Sequence, residues 1–248
     1  MKSNLVIDVG NTRTKIAIFE NRKLVKLDIL EFLSEEKVSE YLVSYKISCS
    51  IFSSVTASLS EIESLLKRET NYIKFSTSIP TAIDLQYKSP ETLGLDRFAA
   101  VIAAQCLFKG LSSLVIDAGT CITYDSIDLH GVYKGGSISP GLKMRFDALN
   151  HYTKRLPLLS VDDSFDKWFG KSTSQCIISG VQNGAFSEIV GFINYYISEH
   201  PDLQILLCGG DSEFFGTRLK NSIFAERVKI EPDLVLIGLN EVIYQHND

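Results

Sequence analysis

A chain of 248 residues has room for one large domain or two compact ones. Its apolar share of 45% and charged share of 22% suit a globular protein with a real core. A formal charge of −5 argues against the broad basic stripe of a nucleic-acid binder.

The opening alternates as β-strands do, over Asn4–Val9, Thr14–Glu20 and Lys23–Ile29, with the turn pair Gly10-Asn11 between the first two. Phe32, Leu33, Val38, Tyr41 and Leu42 predict a helix over Glu31–Ser44, and Ser48–Ser53 a short strand. Ser58, with Glu61 three residues on, signals a capped helix start; Asn71–Phe75 returns to strand. Thr77–Thr92 holds Pro80 and Pro90 without periodicity and reads as a loop before an alanine-rich helix over Gly94–Leu107. A second round follows: strands at Leu114–Ile116, Thr120–Ile127 and Gly131–Ile138, and a helix from Pro140 to Leu149. Lys154–Asp166 looks irregular, Thr173–Ser198 is a long helix, and Gln204–Leu207 a strand ending in Cys208-Gly209-Gly210-Asp211. A short helix, a strand near Val228 and a helix over Leu234–Gln245 close the chain.

Both halves open with an apolar strand running into an Asp-x-Gly turn, Asp8-Val9-Gly10-Asn11-Thr12 and Asp117-Ala118-Gly119-Thr120. This predicts a duplicated α/β chain, residues 1–112 and 113–248, with a cleft between the copies. The chemistry of such turns is phosphate binding. Glycine lets a phosphate approach the backbone, Asn11, Thr12 and Thr14 add donors, and Asp8 offers a carboxylate for Mg²⁺. Each turn alone also reads as an ordinary hairpin turn. A carboxylate after three apolar residues, as at Asp117, is costly to bury unless paired or bound to a cation. The Gly209-Gly210 pair lets a flat ring lie against the backbone, or makes a tight strand-to-helix turn.

The five cysteines form no CxxC pair and indicate neither a zinc site nor a disulfide framework; they read as free thiols of a reducing cytoplasm. Leu5-Val6-Ile7 is too brief for an export signal, and Phe98–Phe108 falls short of the ~20 apolar residues that cross a bilayer. A cytoplasmic protein with neither a membrane nor a nucleic-acid partner is expected.

The two phosphate turns and the glycine pair together resemble the superfamily of sugar kinases, heat-shock chaperone ATPases and actin. Gly94-Leu95-Asp96-Arg97, Gly135-Gly136-Ser137-Ile138-Ser139-Pro140-Gly141, and Thr173 six residues before Ser179-Gly180 narrow the resemblance, in order along the whole chain, to the type III pantothenate kinases. The resemblance implies two ribonuclease H-like domains of actin-like ATPase fold around a central nucleotide cleft. It implies ATP phosphates on Asp8, Val9, Gly10, Asn11, Thr12, Arg13, Thr14 and Lys15 and near Gly119 and Thr120, with Gly209 and Gly210 by the adenosine. Asp117 would hold a monovalent cation, K⁺ or NH₄⁺, and Asp8 would help hold Mg²⁺. Pantothenate would lie against Gly94, Leu95, Asp96, Arg97, Tyr87 and Thr173, in a homodimer whose substrate site is near the subunit interface. Asp96 suits the base that takes the proton from the attacking hydroxyl; its plainer reading is a helix-capping aspartate. Two other functions stand beside this one: another small-molecule kinase or phosphatase of the superfamily, and a non-catalytic transcriptional regulator with this fold.

Overall fold

The computed structural model describes residues 3–10, 13–54 and 59–247. Asn11, Thr12 and the Ser58 helix start lie outside the described residues. The chain forms two units by internal contact, residues 1–109 with 131–133 and 233–248, and residues 110–130 with 134–232.

The first unit is built on a five-stranded sheet, β1 (Ser3–Val9), β2 (Thr14–Glu20), β3 (Lys23–Leu30), β4 (Ile47–Ser54) and β5 (Asn71–Lys74), in the order β3-β2-β1-β4-β5. β1 runs antiparallel to β2 and parallel to β4. Asn21 and Arg22 take φ of 47° and 64° between β2 and β3, the two-residue turn whose twist matches a hairpin. Side chains alternate across the sheet. Leu5 and Ile7 of β1 and Ile16 and Ile18 of β2 form one core with Val38 and Tyr41 of α1 (Glu35–Ser44) and Ile62, Leu65 and Leu66 of α2 (Ser60–Glu69). Asn4, on the alternate parity, hydrogen-bonds Asn240 of α7 (Leu234–Asn247), the last helix of the chain. α7 also packs on α3 (Leu95–Leu107).

The helix expected from Glu31 begins at Glu35. Ser34 takes the cap, its hydroxyl accepting from the Lys37 amide at 3.2 Å, and Phe32 points into solvent at 86% exposure. The expected loop Thr77–Thr92 contains a two-residue strand, β6 (Asp84–Leu85), paired in parallel with Val132 and Tyr133, and a single 3₁₀ turn at Pro90–Thr92.

The second unit repeats the plan. β7 (Ser113–Ala118) runs antiparallel to β8 (Cys121–Ile127) and parallel to β10 (Gln204–Cys208); β9 (Val132–Pro140) and β11 (Val228–Ile230) extend the sheet. Pro140 closes β9 instead of opening the next helix, α4 (Leu142–His151). α5 (Thr173–Glu199) is, among the described residues, long and apolar enough to cross a membrane by length and composition. Its apolar stripe is already occupied: Ile177, Val181, Ala185, Ile189 and Ile193 are buried in one cluster with β7, β8 and β10. Its other side chains hold the segment before it. Ser179 donates to the Trp168 carbonyl, Asn183 to that of Lys167, and Gln182 exchanges two bonds with the Asp162 backbone. That is the behaviour of a core helix. α6 (Ser212–Lys220) follows β10.

Candidate active site

In the first unit the site starts where β1 ends. Gly10 donates to the Arg13 carbonyl at 3.1 Å and closes the turn. Asp8 sits just before it, flanked in register by Lys15 on β2 and Ser53 on β4. Its carboxyl is pushed up to about 6, first by burial and then by the carboxylate of Asp96; Ser53 and the Lys15 ammonium pull the other way. The Ser53 hydroxyl is buried. Val9 and Thr14 are buried, Arg13 is exposed, and Lys15 is half-buried with Asp233 at 3.7 Å.

Asp96 stands in the first turn of α3, exposed, with Gly94 at the cap. One of its oxygens accepts from the Arg97 amide at 2.8 Å, while the cap itself is Gly94 and carries no side-chain cap bond, so the helix-capping reading of Asp96 does not hold. Arg97 is buried, and its guanidinium donates to the Tyr133 hydroxyl at 3.4 Å. Tyr87 stacks on Tyr133, ring centroids 6.3 Å apart and planes 5° from parallel. The fold therefore gathers Asp8, Lys15 and Asp96, and ties Tyr87 to Arg97 through Tyr133.

In the second unit the Asp117-Ala118-Gly119-Thr120 turn is clasped from two directions. Gly209, at φ +89°, lies so close that a Cβ would meet an Asp117 carboxylate oxygen at 2.3 Å and the Ala118 carbonyl oxygen at 2.4 Å. The Asp211 amide donates to that same Ala118 carbonyl at 2.8 Å. From the other side Gly141 donates to the Thr120 carbonyl at 3.1 Å, and a Cβ there would stand 2.1 Å from the Gly119 carbonyl oxygen. Both positions admit only glycine. Gly119 donates to the Cys121 carbonyl, Thr120 and Gly210 are exposed, and burial raises the pKa of Asp211. Thr173 lies in another part of this unit, at the start of α5, lining a groove with Met144, Arg145 and Tyr152.

Sequence reasoning missed Ser53, Asp233, Tyr133 and Asp211, which reach these turns only through strand pairing and chain return. It also left Arg145 without a role. In the structure Arg145 pairs with Glu188 at 2.7 Å.

No group of three or more His, Cys, Asp or Glu side chains that could hold a metal occurs among the described residues. A cation here would lean on single carboxylates and on substrate phosphates, as Mg²⁺ commonly does.

Among solved structures the chain resembles a glucokinase from an Antarctic psychrotroph, at TM-score 0.52 and 12% identity over all of both chains. It also resembles MreB5 of Spiroplasma citri bound to ADP, at TM-score 0.51 and 13% identity over 100% of this chain and 97% of that one. These likenesses show the fold, that of the actin-like ATPases. In sequence, the type III pantothenate kinase of Phocaeicola vulgatus is 42% identical over 246 residues, 99% of each chain. That of Flavobacterium johnsoniae is 42% identical over 225 residues, 89% of this chain and 91% of its own. The family description "Type III pantothenate kinase" matches residues 4–195, and the chain belongs to that family.

Proposed function

We propose that this chain transfers the γ-phosphoryl group of ATP to the primary hydroxyl of pantothenate, giving 4'-phosphopantothenate, the first step towards coenzyme A. The observation that carries the mechanism is the electrostatic coupling of Asp96, in the first turn of α3, to Asp8, at the end of β1. Phosphoryl transfer needs positioning and charge stabilisation more than covalent help. Asp96, exposed at a helix start, orients the hydroxyl and accepts its proton as the oxygen attacks phosphorus. Arg97 offers a buried guanidinium to the pantothenate carboxylate, with Tyr87 tied to it through Tyr133. Thr173, in the other unit, is assigned to pantothenate by the family resemblance alone. By the family resemblance, Lys15 in the first unit and Thr120 with Gly209-Gly210 in the second are assigned to the nucleotide.

Asp8 fits a divalent cation. Its carboxylate is confined beside a second carboxylate, a repulsion that a cation offsets. Mg²⁺ held there neutralises charge on the β- and γ-phosphates. Asp117 fits the monovalent cation, K⁺ or NH₄⁺, since Gly209 leaves a cradle over its oxygen that a Cβ would fill. All five cysteines are free thiols, in keeping with a cytoplasmic setting.

The test is ATP-dependent phosphate transfer to pantothenate by the purified chain and by Asp96→Asn. The base assignment requires turnover to fall by about 10²–10⁴ with nucleotide binding kept. Near-normal turnover in the folded variant removes Asp96 from that role. Nucleotide binding without transfer to pantothenate, in the unaltered chain, removes the substrate.

A further inference from the structure

Glu188 lies in the middle of α5, outside every motif described above, and three polar side chains converge on it. One carboxylate oxygen accepts from the Tyr124 hydroxyl at 2.8 Å and from the Ser139 hydroxyl at 2.5 Å. The other accepts from the Arg145 guanidinium at 2.7 Å. Arg145 also donates to the Pro140 carbonyl at 2.8 Å and to Ser139 at 3.3 Å. Burial works against the charge on Glu188, yet Arg145, Ser139 and Tyr124 hold its pKa below the ordinary value. A partly buried, fully ligated carboxylate of this kind fixes what it touches.

What it touches is the end of β9. Ser139 and Pro140 precede Gly141, and Gly141 carries the hydrogen bond to the Thr120 carbonyl. The absence of a Cβ there brings the two backbones into contact, with no slack to absorb movement. Any shift of residues 139–141 is therefore passed to the Gly119-Thr120 turn. The path runs from the Glu188 carboxylate through Arg145 and Ser139 to Pro140 and Gly141, and then to Thr120. Tyr124, on β8, shares the carboxylate and also reaches Ser139, but makes no hydrogen bond to Pro140 or Gly141.

We infer that Glu188 is a positioning residue for the nucleotide: through Arg145 and Ser139 it sets the phosphate turn at Gly119-Thr120. This rests on the reading of that turn as a phosphate site. Its signature is selective. Loss of the carboxylate weakens nucleotide binding and leaves the main pantothenate contacts, at Gly94–Arg97 and Tyr87 in the other unit, as they were.

The experiment measures KM for ATP and for pantothenate, and binding of a non-hydrolysable ATP analogue, in Glu188→Gln, Arg145→Lys, Tyr124→Phe and Gly141→Ala. Circular dichroism and melting curves confirm that each is folded. Glu188→Gln and Arg145→Lys are expected to raise KM for ATP about tenfold, with KM for pantothenate within twofold in Glu188→Gln, since Glu188 does not line the Thr173 groove. Tyr124→Phe, which removes one bond to the same carboxylate and leaves the Arg145 and Pro140 links in place, should raise KM for ATP by clearly less than Glu188→Gln does. Equal effects from Tyr124→Phe and Glu188→Gln, or a parallel rise in both KM values of Glu188→Gln, would overturn the proposal in favour of general loosening. If Gly141→Ala weakens analogue binding and Glu188→Gln does not, the proposal falls while the phosphate turn stands. If neither weakens it in folded protein, the phosphate reading of Gly119-Thr120 falls, and the proposal with it. Should Glu188→Gln fail to fold, Arg145→Lys carries the same comparison for ATP.

Discussion

At the scale of single residues, Asp8 makes a prediction with a definite sign. Its carboxyl pKa is about 6 in the folded chain and about 3.8 in an unfolded one. A raised carboxylate pKa means the folded state carries the charge at a cost above pH 6. That cost is relieved as pH falls through 6 and the group takes up its proton. Asp8→Asn should therefore raise the melting temperature of the ligand-free protein at pH 7.5, by about 1–3 kcal/mol of stability, and the gain should vanish near pH 4. Melting curves of both proteins at the two pH values decide it; an equal difference at both would put the cause elsewhere. The same titration acts on activity with the opposite preference. A protonated Asp8 cannot hold a cation, so kcat/KM should fall by tenfold for each unit below about pH 6. Asp117 supplies the companion test: Asp117→Asn should flatten the stimulation by K⁺, and an unchanged response would take the monovalent cation away from it. That both aspartates end an apolar strand at a glycine turn was legible in the sequence. Ser53, Asp233 and Glu188 were not. Each is an ordinary residue of its own strand, loop or helix, brought to the site by parallel pairing, by the return of the last helix, or by packing of a long helix on β8 and β9.

At the scale of elements, the position of Asp96 depends on α3, and α3 depends on α7. Gly238 of α7 meets α3 so closely that a Cβ would stand 1.8 Å from the Ala99 carbonyl oxygen and 2.7 Å from its carbon. Both are backbone atoms, so no rotamer change relieves the clash. Gly238→Ala must push the helices apart, at a cost of about 1–3 kcal/mol. Since Ala99 lies one turn after Asp96, turnover should drop along with melting temperature. Calorimetry beside steady-state kinetics measures both, and an unchanged melting temperature would mean α7 is not pressed against α3. The strands of the first sheet were readable because alternation survives wherever one face is covered by helices. The α1 boundary was not, because Phe32 and Leu33 mimic a helix face. The cap at Ser34 decides the start, and Phe32 is left in water. The irregular segment before α5 was recognised as irregular, but its restraint was invisible. Ser179, Gln182 and Asn183 bind its backbone carbonyls and one amide, and such bonds leave no periodic trace in a sequence.

At the scale of the whole molecule, the duplication was legible because each half repeats a hairpin followed by a parallel crossover, with an aspartate at the first strand's end. The return of α7 to the first unit was not: Leu234, Leu236, Leu239, Val242 and Ile243 are buried, but an apolar stripe carries no address. A further apolar surface in the second unit bears on assembly. Between α4 and α5 runs a groove of about 1010 Å³, lined by Met144, Leu149, Tyr152, Leu156, Ile177 and Val181. Met144 is 40% exposed and Tyr152 82%. Met144 and Tyr152 at its rim are exposed enough to meet a partner. Thr173, proposed to touch pantothenate, lines the same groove, so covering it with a second copy would join assembly to the substrate site. The expected state in solution is a dimer, with twice the chain mass of 27.6 kDa by sedimentation equilibrium. Met144→Glu with Tyr152→Glu should shift that mass to the monomer, because two buried charges without partners oppose association. The same variant should raise KM for pantothenate while analogue binding by the nucleotide turns is kept. A monomer in the unaltered protein at micromolar concentration would reject the dimer. A dimer that survives both substitutions would move its interface off the α4–α5 groove and separate Thr173 from the subunit boundary.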